Sequence, residues 1–180
     1  GGTPCITAVT LPVSVAGGNG QSGTAFNVIN TSAGSLTITG FSQGPAYSGG
    51  VQAHLMKVWS YPGDYTTNMT MSGWTQVGSA TVDLTSGLTT GYIAVSGVTI
   101  PAGATYGFIV ASTGITVQYT NGTGTPGVTA WASDANVTIT EGHGGTYPTG
   151  LNFSPRNWNG SVVYGDPNAS TYSYAWSTGD

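Results

Sequence analysis

Residues 98–110 constrain this chain more than any other stretch, because they read as strand, corner and strand. Side chains alternate across a strand with period two, so Val98 and Ile100 share one face. Pro101 has no N–H to give to a ladder and closes the first strand. Gly103 accepts a bend that most residues resist. Tyr106, Phe108 and Val110 then resume the alternation on one face. The hydroxyl of Tyr106 is expected to tie back to the backbone upstream, so that Pro101, Gly103 and Tyr106 together fix the corner. The alternative is a plain hairpin with a core tyrosine. Either way the centre of the molecule is an all-β unit.

The rest of the chain repeats that theme. Apolar residues alternate over 24–30, 35–41, 51–61, 74–84, 92–100, 105–111, 115–120, 128–132, 137–141, 158–164 and 171–177. Glycine-rich loops are expected over 17–23 and 142–150, and no stretch has the period of an amphipathic helix. Regularly spaced short strands with turn signals between them predict an all-β fold: an antiparallel, Greek-key or jelly-roll-like β-sandwich with no significant helix. A length of 180 residues suits one domain. Residues 24–180 are expected to form the sandwich. Residues 1–23 are expected to form an N-terminal edge strand or exchangeable arm with its glycine-rich loop, because Pro12 demotes that strand from any interior position. Cys5, Ile6, Val9, Leu11 and Val13 are the residues such an arm would bring to a neighbouring subunit.

Charge excludes several classes of function. Charged residues make up 4% of the chain, against an ordinary share of about 25%. Lys57 and Arg156 are the only lysine and arginine, so the basic footprint of a nucleic-acid-binding protein is missing. No apolar run is long enough to predict a transmembrane helix, and any secretory leader is expected to have been removed already. The single cysteine, Cys5, leaves no partner for an intramolecular disulfide or a CxxC redox pair. It is either a small buried hydrophobe or a link to another chain.

Several motifs tempt. Gly18–Gly23 and Gly122–Gly127 both match G-x-G-x-x-G, but a dinucleotide site needs a helix after the loop, and β-like sequence follows instead. Gly40–Gly44 matches G-x-S-x-G around Ser42, with His54 and His143 as the available bases. A nucleophile elbow must also turn into a helix, which Pro45 and the glycines beyond it oppose. Asp134 and Glu141 are the nearest approach to a carboxylate pair, and their odd separation would put them on opposite faces of one strand. Asp166, Asn168 and Ser170 offer oxygen ligands at alternate positions to a calcium ion, without the glycine and closing glutamate of an EF-hand loop. No cofactor is expected. Trp59, Tyr61, Tyr65 and Trp74 flank a polar excursion over 61–73 and suit either a sugar-stacking platform or an ordinary aromatic core. Asn30, Asn68, Asn121, Asn136, Asn152, Asn159 and Asn168 stand in N-x-S/T sequons, where glycans would solubilise a surface short of charge.

A set of local sequences carries a family resemblance. Gln118-Tyr119-Thr120-Asn121-Gly122, Ala132-Ser133-Asp134-Ala135-Asn136, Glu141-Gly142 and Phe153-Ser154-Pro155-Arg156-Asn157-Trp158-Asn159-Gly160 occur in that order. With the Ile100–Phe108 corner and the strand from Gly73-Trp74 to Thr81, they resemble a β-sandwich module of secreted and cell-surface bacterial proteins. The resemblance implies an extracellular setting, a structural or adhesive role and no catalytic residues. The sequence therefore predicts an extracellular or cell-surface structural protein, a subunit of a filament, sheath or surface layer of identical copies. A carbohydrate-binding or adhesin module, with surface glycans as partners, is the alternative.

Overall fold

The computed structural model describes residues 7–45, 52–84, 90–148 and 150–165. Cys5, Ile6, the calcium candidates Asp166, Asn168 and Ser170, and the strand expected over 171–177 lie outside them. The strands are β1 (Ala8–Pro12), β2 (Asn19–Gln21), β3 (Gly23–Asn30), β4 (Leu36–Gln43), β5 (Gln52–Pro62), β6 (Thr75–Leu84) and β7 (Ile93–Ile100). They continue with β8 (Thr105–Ser112), β9 (Val117–Asn121), β10 (Ala130–Ser133), β11 (Val137–Thr140), β12 (Gly142–Thr146), β13 (Gly150–Trp158) and β14 (Gly160–Gly165). One 3-10 turn, Tyr65–Thr67, interrupts them, and no α-helix occurs among the described residues.

The strand ladders are antiparallel and join into one curled sheet. Its path runs β1-β14-β4-β7-β6-β5-β8-β3-β12-β13-β9-β2, and β11 branches from β3 with β10 on its far side. Among the described residues, only the pair Gly78↔Val95 joins β6 to β7. The chain passes from β13 to β14 through Asn159 alone. The curl brings the two ends of the path over one core. Phe26 of β3 stacks on Trp158 of β13 with centroids 4.7 Å apart, and Phe41 of β4 lies 5.2 Å from Phe108 of β8. Leu11, Ile38, Ile100 and Val162 complete the lining from the other half of the path.

β8 is buried on both faces. Phe108 and Val110 face this main core, whereas Ile109 and Ala111 face a second, smaller cluster on the outer side. Burial on both faces explains why the strand reads as a continuous apolar run rather than a clean alternation.

The 98–110 corner forms, and its closing hydrogen bonds come from Asn30. Ala104 N donates to Pro101 O at 3.0 Å, with Gly103 at φ +71° in the third position, where a type II turn needs a positive φ. Asn30 N donates to Ala104 O and Gly103 N to Asn30 O, each at 3.0 Å. The Asn30 side chain, itself fully buried, donates to Ile100 O at 2.9 Å and Gly34 O at 2.8 Å. The half-buried Tyr106 ring packs against the margin of the core. Asn30→Ala removes these side-chain bonds from a buried position and is expected to cost about 1–3 kcal/mol. Tyr106→Phe should stay within about 0.5 kcal/mol of the parent. Urea unfolding of both variants checks the pair.

Two segments expected as loops are strands. Asn19–Gln21 pairs with β9, and Gly142–Thr146 lies between β3 and β13. Glycine is common in the second because the neighbours are too close for side chains. A Cβ on Gly142 would overlap the carbonyl oxygen of Ala25, and one on Gly144 would lie 2.5 Å from the Tyr119 ring. Composition that usually signals a loop here signals close approach. The N-terminal segment pairs antiparallel with β14 of its own chain, from Ala8↔Gly165 to Pro12↔Ser161. Leu11 and Val13 are buried in the main core, and Val9 is half-buried against it.

Candidate functional site

The outer face of β12, β3, β8 and β5 carries a second aromatic group, apart from that of the main core. Register places His143, Ala25, Ile109 and Trp59 in one row across these four strands. Asn27, Gly107 and Tyr61 form the row beside it. The centre of this face is small: a Cβ on Gly107 would come within 2.7 Å of the Tyr65 Cβ and 3.2 Å of the Trp74 ring. That shallow floor admits Tyr65 and Trp74 from the β5–β6 excursion, and both are buried on it.

Buried amides and capping groups hold the excursion down. Asn27, fully buried, accepts from Tyr65 N at 3.0 Å and donates to Asp64 Oδ1 at 2.9 Å and Gly127 O at 3.2 Å. Asp64 caps the 3-10 turn by accepting from Thr66 N at 2.9 Å. Burial raises the Asp64 pKa, but the hydrogen bonds from Asn27 and Thr66 outweigh it and hold the carboxyl below its ordinary value. Trp74 Nε1 donates to Asn68 O at 2.9 Å.

Tyr65 Oη lies 2.8 Å from His143 Nδ1. Burial, and then the Asp64 charge, push the phenol pKa well above its ordinary value, so the hydroxyl stays protonated. Burial pushes the imidazole down, so His143 is held neutral. The neutral phenol and the neutral imidazole therefore share one hydrogen bond, whose donor is set by the imidazole tautomer. The pair clamps the excursion.

A sign follows for stability against pH. The folded His143 pKa lies below its unfolded value near 6.5, so the unfolded chain binds more protons as pH falls and stability declines. Full stability from this group is present above about pH 6.5 and is lost progressively below it. Asp64 acts lower, losing its contribution as pH falls below its unfolded value of about 3.9. Urea midpoints are expected to fall between pH 7 and 5 in the parent and to flatten over that interval in His143→Gln.

Around the clamp, Tyr61 stacks on Trp74 with centroids 5.5 Å apart, and Trp59 lies 6.4 Å from Tyr147. Trp59, Tyr61 and Tyr147 are half-buried, and Tyr65 belongs to the cluster beneath. Of the four aromatics expected to flank the excursion, two therefore form the small core with its floor and two pack against it, half-buried, on the same face. Tyr147 is the member that sequence reading missed. It follows the glycine-rich strand β12, where nothing suggested a structured neighbour.

The remaining candidates scatter. Ser42 is a ladder residue of β4 opposite Ser161. Asp134 is exposed and accepts from the Tyr164 hydroxyl at 2.7 Å. Glu141 is buried and accepts from Thr123 N at 3.2 Å and Gly124 N at 2.7 Å, holding the 121–129 loop. Arg156 sits 5.8 Å from the Tyr119 ring centroid and 5.9 Å from that of Phe153. The sequon residues Asn121 and Asn152 are exposed, and Asn68 and Asn136 are half-buried. Asn30 and Asn159 are fully buried with their amide nitrogens hydrogen-bonded, so a glycan on either has to precede folding or break those bonds. Asn27, Asn30, Gln43 and Asn159, the buried amides that organise the fold, were open to recognition as polar residues interrupting apolar runs.

No protein-family model matches this chain, and no curated protein matches it. No helix among the described residues is long and apolar enough to cross a membrane.

Proposed function

We propose that this chain is an extracellular or cell-surface structural protein, a Greek-key-like β-sandwich subunit that assembles with identical copies into a filament, sheath or surface layer through its β edges. One observation carries the reading: the sheet edges formed by the described residues lack charge. Among those residues the path ends at β1 and β2 and its branch ends at β10, and none of these strands contains a charged residue. The chain's two cations lie instead on interior strands, Lys57 on β5 and Arg156 on β13. Monomeric β proteins guard such edges, most often with lysine. An unguarded edge offers its main-chain groups to another chain. Addition to the β1 edge fits better than withdrawal of β1, because withdrawal would uncover Leu11 and Val13. A head-to-tail contact whose repetition does not close gives a filament. Sedimentation velocity and electron microscopy over a range of concentrations test this: growing linear assemblies are expected, and a monomer at every concentration would remove the reading.

The paired aromatics on the outer face favour a second reading, a carbohydrate-binding or adhesin module. Sugar rings stack on exposed aromatic surface, and Trp59, Tyr61 and Tyr147 are partly exposed there. Titration of soluble polysaccharides with tryptophan fluorescence separates the two. Saturable binding by a monomer, lost in Trp59→Ala, supports the module; no response leaves assembly alone.

A further inference from the structure

The chain contains three Asn-Gly pairs, at Asn19-Gly20, Asn121-Gly122 and Asn159-Gly160. Glycine after asparagine leaves its amide nitrogen unhindered, so this dipeptide is the one most prone to internal attack on the side-chain amide. The three pairs stand in different surroundings.

At the first pair, Gly20 N donates to Asn19 Oδ1 at 2.8 Å. The attacking nitrogen and the side-chain amide it must reach are already together. The site is half-exposed on β2, a three-residue strand at the end of the sheet's path. At the second pair, Gly122 N donates to Pro155 O at 3.1 Å, which turns the nitrogen away from its own asparagine. At the third, Asn159 is fully buried and fixed at both ends of its amide. Its Oδ1 accepts from Gly17 N at 2.9 Å, and its Nδ2 donates to Asn157 O and Thr120 Oγ1 at 3.0 Å each.

We infer that Asn19 is a site of spontaneous deamidation. The Gly20 nitrogen gives its proton to water and bonds to the Asn19 Cγ; the Cγ–Nδ2 bond then breaks as Nδ2 takes a proton from water and departs as ammonia, leaving a succinimide. Water then opens that ring at either carbonyl, giving aspartate or isoaspartate at position 19. Neighbouring groups accommodate the aspartate product. Asn19 Nδ2 now donates to Asn121 Oδ1 at 3.0 Å, and rotation of the Asn121 amide would offer the new carboxylate a donor instead. The isoaspartate product adds a carbon to the main chain, which breaks the Asn19↔Tyr119 to Gln21↔Val117 register with β9. Either product puts a negative charge on an edge strand that has none.

Incubating the folded protein at mildly alkaline pH and mapping its peptides by mass spectrometry tests this. The mass gain of an amide-to-acid conversion is expected first and most at Asn19, more slowly at Asn121 and last at Asn159. A parallel incubation in urea should bring the three rates together, because the ordering comes from the fold. Asn19→Asp marks the aspartate product in the separation. Equal rates in the folded protein, or Asn121 or Asn159 leading, would overturn the inference.

Discussion

Trp158→Ala is expected to cost about 3–5 kcal/mol, the range for a large aromatic removed from a core. Trp158 is fully buried, stacks on Phe26 and meets Phe41 edge-on at 5.6 Å. Its Nε1 donates to Gln43 Oε1 at 3.0 Å, and its carbonyl accepts from Trp131 Nε1 at 2.9 Å. Truncation therefore opens a cavity and also leaves the Gln43 oxygen without that donor. Asn159, the next residue, takes the chain from one half of the curled sheet to the other, and the Gln43 amide nitrogen reaches its carbonyl at 3.2 Å. Loss of Trp158 thus loosens the joint between the halves as well as the core. Trp158→Phe keeps most of the packing but not the hydrogen bond, so it should fall between the parent and the alanine variant. Urea unfolding orders the three proteins. A Trp158→Ala cost below about 1 kcal/mol would place this side chain outside the core.

Gly142→Val is expected to cost about 3 kcal/mol or more, the upper end for overpacking, because nothing flexible is available to move. The Cβ would overlap a main-chain carbonyl, that of Ala25, in the central strand β3. β12 runs beside β3 at this level, with His143 opposite Ala25. Pushing β12 away breaks that ladder and displaces His143 from Tyr65. The variant should therefore lose both stability and the pH dependence assigned to His143. A stable Gly142→Val with the parent's pH profile would show that β12 does not pack this closely.

The all-β class was legible because period-two alternation and turn residues recur along most of the chain. Phe26, Val28, Phe108 and Val110 sit where that alternation puts them, in one core, whereas Phe41 joins Leu36 and Ile38 there because a register shift between Ile38 and Gly40 reverses the alternation. The strand β12 was not legible, because three of its five positions, Gly142, Gly144 and Gly145, are glycines required by close approach rather than by strand preference. The corner was legible in its turn, through Pro101 and Gly103, but not in its tie. Asn30 lies about seventy residues from Ile100 in the chain, and nothing in a linear reading joins them. The aromatic face was half legible. Trp59 and Tyr61 announce themselves at alternate positions of one strand, whereas the small floor of Ala25 and Gly107 emerges only when β3 and β8 are placed side by side.

Edge substitution tests the central claim most directly. Thr10→Lys places a charge on β1, and Gln21→Lys places one on β2. Thr81→Lys adds the same charge at an exposed position on the interior strand β6. Sedimentation velocity at matched concentrations compares all three with the parent. The account requires the parent and Thr81→Lys to assemble alike, and at least one edge variant to remain a folded monomer. Edge variants that assemble as the parent does would contradict it.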